Sequence, residues 1–225
     1  MKIIARIHND FKEKFGIPRQ SGLSGELKSK IVFEPEYRNP EALRGIEGFS
    51  HLWLIWEFSE SKRDEWSPTV RPPRLGGNKR VGVFATRSPF RPNPIGLSSV
   101  KLEAVEHTNN EGTVLVVSGA DLLDGTPIFD IKPYIAYSDC HTDAVSGFAE
   151  PVREYHLNVV FCKDLLSKIE ISKQNSVIKI LEQDPRPSYQ NDPDREYGMK
   201  FADYEIFFKV EDDVLTVTRV EVDRS

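Results

Sequence analysis

His51-Leu52-Trp53-Leu54-Ile55-Trp56 is the longest apolar run of the chain, and it soon meets the charge of Glu57, with Phe58 beyond it. It is rich in tryptophan, leucine and isoleucine and lacks helical spacing. These features predict a strand, and apolar side chains at odd and even positions predict one covered on both faces. Such a strand needs partners. Lys2 to His8 alternates around Ile3, Ala5 and Ile7, and Lys30 to Phe33 reads as a short strand. Gly82 to Thr86, Leu97 to Val105, Thr113 to Ser118 and Pro127 to Ile135 complete the set. Turn signals separate them at Asn109-Asn110-Glu111-Gly112 and Asp124-Gly125-Thr126-Pro127. Many short strands with little helical pattern predict a mainly β fold, its sheet closed or nearly closed. A helical turn is expected at Glu41 to Gly45, opening after Asn39-Pro40.

Near residue 150 the texture changes. Asn175 or Ser176 is placed to cap a helix running to Glu182, which Asp184-Pro185-Arg186-Pro187 stops. Tyr204 to Val210 and Val214 to Val222 form a hairpin around Glu211-Asp212-Asp213. The expected division is residues 1–150 as a β unit and 151–225 as a small α+β unit.

At 39% hydrophobic and 29% charged, the 225-residue chain has the balance of a soluble protein. No apolar run reaches membrane-spanning length, and Met1 to Arg6 has no signal-peptide core. Cys140 and Cys162, far apart, read as free thiols of a reducing compartment, so a cytoplasmic location is expected. The net charge of −5 argues against a nucleic-acid partner, but its distribution argues the other way. From Trp66 to Leu102 there is no acid. Arg71, Arg74, Lys79, Arg80, Arg87, Arg91 and Lys101 make that window +7, so the remainder carries −12. Such segregation builds a basic face on an acidic protein, or else a solvated loop whose partners lie elsewhere.

Four stretches carry candidate chemistry. In Gly82 to Gly96, Pro92 and Pro94 stiffen a loop holding Arg87 and Arg91. Stiffened guanidinium forks suit a carboxylate or phosphate; they equally suit the backbone carbonyls of a proline-rich connection. Asp121-Leu122-Leu123-Asp124-Gly125-Thr126 offers two carboxylates beside a tight turn, for a ribose diol or ammonium group, or simply to cap the turn. Pro18-Arg19-Gln20 lies in a glycine-flanked loop that allows close approach of a ligand, as would any loop. Asp139-Cys140-His141 with Asp143 fits no zinc spacing, so no metal is expected. The sequence also lacks G-x-G-x-x-G, the P-loop and G-x-S-x-G, so a nucleotide-like cofactor would need another kind of site.

Taken together, these stretches resemble the TsaA/TrmO family. The likeness runs through KEKFGIPRQ (Lys12 to Gln20), EGFSHLWLIW, and PTVRPPRLGGNKRVGVFATRSPFRPNPIGLS (Pro68 to Ser98). It continues through DLLDGTPIFDIKPYI (Asp121 to Ile135) and EQDPRPSYQ (Glu182 to Gln190). The resemblance implies a small, non-Rossmann TsaA-like β-barrel with a C-terminal domain, forming homodimers. It implies methyl transfer from S-adenosyl-L-methionine to N6 of N6-threonylcarbamoyladenosine at position 37, beside the anticodon of threonine tRNAs.

The alternatives are a same-fold methyltransferase with another substrate, or an S-adenosylmethionine-binding RNA module without turnover. Carried over by resemblance, Pro18, Arg19, Gln20, Ser59, Glu60, Arg87, Leu97 and the turn Asp121, Leu122, Leu123, Asp124, Gly125, Thr126 are expected at the cofactor. Arg91, Asn93 and Lys132 are expected at the substrate, and Arg186 and Tyr189 at the anticodon arm. Arg91 is the expected charge-stabilising catalytic group. Asp124 is the candidate base, with cofactor anchoring as its other role.

Overall fold

Strand pairing among these residues is set by parity. In β1 (Ala5–His8), β2 (Lys28–Phe33) and β3 (His51–Glu57), alternate side chains point to one side and are buried there. The computed structural model describes residues 1–18, 20–22, 27–61, 65–72, 75, 79–152, 155–186 and 192–222. After β3 come a two-strand ribbon, β4 (Thr69–Val70) and β5 (Val81–Gly82), and then β6 (Ile95–Thr108), β7 (Gly112–Ser118) and β8 (Pro127–Pro133). Six strands pair in a closed ring, β1-β2-β7-β6-β3-β8 and back to β1, and every pair is antiparallel.

Ala5, Ile7, Ile31, Leu52, Leu54, Leu115, Val117, Leu122 and Ile128 fill the ring and are fully buried. Each larger aliphatic side chain contributes roughly 1.5–3 kcal/mol by leaving water.

β3 runs between β6 and β8, a central position as expected. Its even residues are buried and its odd residues are only half-covered, so one face is dry rather than two. Trp53 and Ile55 are apolar on the outer face, which is what made the run read as covered on both sides. The expected strand at Gly82 to Thr86 is a correction: pairing stops at Gly82, and Val83–Ala85 form a 3-10 turn. Thr86 Oγ1 donates to the Val83 carbonyl at 2.8 Å and folds the chain back. The turn after Asn39 is present as Pro40–Leu43, with the Asn39 side chain accepting from the Glu41 N–H.

A second unit follows α1 (Ala136–Asp139). It holds β9 (Asn158–Val160), α2 (Lys163–Leu166), α3 (Ile171–Glu182), β10 (Tyr197–Phe201), β11 (Tyr204–Glu211) and β12 (Val214–Val222). Its sheet order is β10-β11-β12-β9, with β9 parallel to β12. α3 starts five residues before the expected caps. Its first turn follows Glu170 with no side-chain cap, and Ser176 is buried mid-helix. Burial of Val177, Ile180 and Leu181 outweighs the missing cap.

The two units share one loop. Phe11 and Leu27, both between β1 and β2, are buried in the C-terminal core with Met199, Phe201 and Phe208. The Ala202 N–H donates to the Asp10 carbonyl at 2.9 Å, and the Lys200 N–H to the Glu13 carboxylate at 2.8 Å. Gly16, at φ +91°, lies so close to Met199 that an added Cβ would sit 2.4 Å from its sulfur.

Candidate functional site

Antiparallel pairing brings one end of β3 to the starts of β6 and β8: Trp56 faces Gly96 on one side and Ile128 on the other. The arginine loop enters β6 at this rim, and the aspartate turn enters β8 at the same rim. A cavity of about 720 Å³ opens there, within the range of small-molecule sites. Arg87, Arg91, Asn93, Leu97, Asp121, Leu123 and Thr126 all line it, as do Pro18, Ser59 and Glu60. Two segments more than twenty residues apart in sequence are therefore joined at one mouth.

A hydrogen-bonded chain forms the floor. Trp56 Nε1 donates to Ser98 Oγ at 2.9 Å, and Ser98 Oγ donates to the Asp121 carboxylate at 2.5 Å. Burial pushes the Asp121 carboxyl above its usual range, while the Ser98 hydroxyl and the Arg87 guanidinium pull it down. A cationic ligand against Asp121 would favour the ionised form, so its affinity would rise as pH climbs through that titration. Gly96 lets this floor form: a Cβ there would stand 2.2 Å from the Trp56 ring.

The arginine loop realises the backbone-carbonyl reading of its sequence while standing at the cavity. Arg91 lines the cavity, yet its Nη1 donates to the Thr86 carbonyl at 3.0 Å. A guanidinium has five N–H donors, so this bond orients the fork without exhausting it. Arg87 is exposed at the mouth and close enough to Asp121 to influence its charge.

The aspartate turn divides its labour. Asp124 lines a separate groove with His8, Lys12 and Lys28. It accepts from the Asn9 N–H at 3.0 Å and from the Lys12 ammonium at 2.8 Å. Burial raises its pKa, but Lys12, the Asn9 N–H and His8 outweigh this and hold it below the usual range. A carboxylate so engaged is a turn anchor and a poor proton acceptor; its stabilising contribution is present above the unfolded pKa and fades as pH falls through the lower folded one. Leu122 is a core residue, and its carbonyl accepts from Asn9 Nδ2 at 2.8 Å. Gly125, at φ +74°, donates its N–H to the Ile7 carbonyl. Leu122, Asp124 and Gly125 shape the turn from behind the cavity.

Gln20 and Lys132 do not line the cavity among the described residues. Lys132 lies on the outer face, 3.0 Å from the Asp130 carboxylate. Arg186 is only 6% exposed and is held by Asp184 through Nε at 2.8 Å and Nη2 at 3.0 Å, so it braces the end of α3. Arg19 and Tyr189 fall outside the described residues. Sequence reasoning missed Ser98, Trp56 and Trp53. Trp53 lines the cavity from the outer face while donating to Asp139 at 2.9 Å. Two tryptophans three residues apart in one strand, one on each of its faces, were the available signal. No cluster of metal-ligating side chains occurs among the described residues, and no helix there is long and apolar enough to cross a membrane.

Known proteins share the fold and much of the sequence. The model of the tRNA-methyltransferase O N-terminal domain matches residues 6–140, and that of the TrmO C-terminal domain matches residues 154–223. A tRNA (adenine(37)-N6)-methyltransferase of Escherichia coli (strain K12) is 39% identical over 217 residues, covering 93% of this chain and 92% of that protein. A Pseudomonas aeruginosa relative, named for S-adenosylmethionine-dependent methyl transfer, is 39% identical over 217 residues, 90% of this chain and 89% of its own. The crystal structure of TrmO from Pseudomonas aeruginosa superposes with a TM-score of 0.76 at 33% identity over 97% of each chain. With both units matched in order and a relative aligned along nearly its whole length, the chain belongs to the TrmO family.

Proposed function

We propose that this chain is an S-adenosyl-L-methionine-dependent tRNA methyltransferase acting on N6 of adenosine 37, with N6-threonylcarbamoyladenosine as the nucleoside it modifies. The observation that carries the reading is the single cavity in which the arginine loop meets the Asp121 turn. The relative from Escherichia coli, aligned over 93% of this chain, supports the activity. The closed six-stranded ring is read as a TsaA-like barrel, and the chain as a cytoplasmic homodimer. Residues 1–150 would carry chemistry and residues 151–225 would assist tRNA contact.

The cavity fits the donor. Bound there, S-adenosyl-L-methionine supplies a methyl group on a cationic sulfur. Asp121 and rim carbonyls suit that positive charge, and Trp56, Phe58 and Leu97 offer apolar wall to its base and chain. Pro18, Ser59, Glu60, Arg87, Leu123 and Thr126 would complete the binding surface. Arg91, oriented on the Thr86 carbonyl, would pair with the threonyl carboxylate or carbamoyl oxygen, and Asn93 would hydrogen-bond beside it. The target nitrogen belongs to a urea-like group whose lone pair is delocalised. The N6 proton must leave as the methyl transfers. A fixed guanidinium on the carbamoyl oxygen would favour that loss by stabilising the negative charge the deprotonated urea-like group carries. The proton would pass to solvent, and S-adenosylhomocysteine would be the leaving group. Alignment of donor and acceptor contributes the rest. Asp124 is removed from this step by its bonds to Lys12 and Asn9.

The test uses purified full-length protein, methyl-labelled donor, and tRNA from cells with or without the threonylcarbamoyl modification. Label on the modified tRNA alone is expected. Label on both tRNAs, or on neither, would contradict the substrate assignment, and donor binding without any transfer would indicate a binding module.

A further inference from the structure

Two large aromatic side chains stand in water beside the cavity. Phe84 is 72% exposed and Trp66 is 49% exposed. Their rings are nearly parallel, at 26° with centroids 6.0 Å apart. Neither belongs to the ring core or the C-terminal core. Burial therefore does not account for them. They are held in position nonetheless: the Ser67 N–H donates to the Phe90 carbonyl, the Val83 N–H to the Pro68 carbonyl, and β4 pairs with β5 between them. The Arg91 guanidinium carbon lies 6.0 Å from the Phe84 centroid while Arg91 also lines the cavity. Phe84 is thus one side chain from the proposed reaction site.

We propose that Trp66 and Phe84 form a stacking platform for a single-stranded nucleobase flanking the nucleotide that enters the cavity. The proposal rests on the tRNA reading above and adds a recognition subsite to it. Aromatic faces bind bases regardless of sequence, and a neighbouring arginine adds attraction for base and phosphate. Charge decides between this occupant and a second copy of the chain. Both rings lie in the acid-free +7 window from Trp66 to Leu102. A two-fold contact centred here would set that window against itself, positive on positive. RNA brings the opposite charge. A base drawn out of its stack to reach the cavity also leaves its neighbour without a stacking partner, which the platform would replace.

The test measures equilibrium binding of threonylcarbamoyl-modified tRNA to the full-length wild type and to Trp66→Ala, Phe84→Ala, Trp66→Phe and Phe84→Tyr. S-adenosylhomocysteine affinity, thermal melting and sedimentation are recorded for each. Loss of one stacking face corresponds to about a 5- to 150-fold weaker tRNA affinity. That loss is expected for the alanine variants, with S-adenosylhomocysteine affinity unchanged and most tRNA affinity regained by the aromatic replacements.

An abasic nucleotide beside position 37 in a synthetic anticodon stem-loop should weaken wild-type binding and add little to the defect of the alanine variants. Unchanged tRNA affinity in both alanine variants would overturn the platform, even with methyl transfer intact. A fall in sedimenting mass would overturn it by making the patch a self-association surface. If the wild type binds and methylates no tRNA, the platform and the functional reading fall together.

Discussion

Replacing Gly96 with alanine is expected to weaken S-adenosyl-L-methionine binding at least tenfold and to lower the melting temperature. A Cβ at this position would lie 2.2, 2.4 and 2.6 Å from three carbons of the Trp56 indole, so the ring must move. It is a rigid bicycle at 6% exposure, with β3 behind it, and cannot yield like the end of a flexible side chain. Overpacking of this kind costs about 1–3 kcal/mol, which in a chain this size corresponds to roughly 2–12 °C of melting temperature. The larger effect is local. Moving the indole breaks the bond from Trp56 Nε1 to Ser98 Oγ, and Ser98 in turn donates to the Asp121 carboxylate. Calorimetric titration with S-adenosyl-L-methionine and differential scanning calorimetry measure the two effects separately. Wild-type affinity would show that the Trp56–Ser98–Asp121 floor is not part of the donor site.

The second large effect falls on the other side of the cavity. Arg91→Lys should lower kcat/KM on threonylcarbamoyl-modified tRNA by about 10- to 150-fold, the equivalent of a charged hydrogen bond worth roughly 1.5–3 kcal/mol. Lysine keeps the charge but loses the planar fork, so it cannot bind the Thr86 carbonyl and a carboxylate or carbamoyl oxygen in one fixed geometry. S-adenosylhomocysteine affinity should stay near wild type, because the proposed donor contacts are Asp121 and Arg87 rather than Arg91. Comparable turnover by the lysine variant on modified tRNA would remove Arg91 from the reaction. The two substitutions thus probe donor and acceptor halves of one cavity independently.

Much of this arrangement was legible in the chain, and the parts that were not share a cause. Apolar, β-rich runs read strands well, so β3 and β7 were visible in residues 51–57 and 112–118, and the final hairpin in the alternation of residues 214–222. Parity does not read where pairing ends. Gly82 to Thr86 looked extended, but the Thr86 hydroxyl closes a turn there. α3 began five residues early, after Glu170, where no side-chain cap marks its start.

At the cavity, Arg87 and Arg91 stood out as a proline-stiffened arginine loop, whereas Asp121 read locally as a turn residue and was placed there by the family resemblance. Ser98 was missed because a serine in a strand has no local signature; its meaning comes from the side-chain bonds it makes, diagonally across β3 and β6 to Trp56 and onward to Asp121. Asp124 looked like a base because its partners lie elsewhere in sequence. Lys12 and Asn9 reach it only after the ring closes. The sharing of Phe11 and Leu27 with the C-terminal core is likewise a tertiary fact.

The claim on which the rest stands is that the rim cavity receives the methyl donor. A crystal structure of the full chain with S-adenosylhomocysteine tests it without reference to the RNA. The predicted result is density for the ligand between the Arg87–Arg91 loop and the Asp121–Thr126 turn, with Asp121 in hydrogen-bond reach of it and Ser98 still bonded behind. Ligand in the groove of His8, Lys12 and Asp124, or anywhere that leaves Asp121 and Arg87 untouched, would contradict the account.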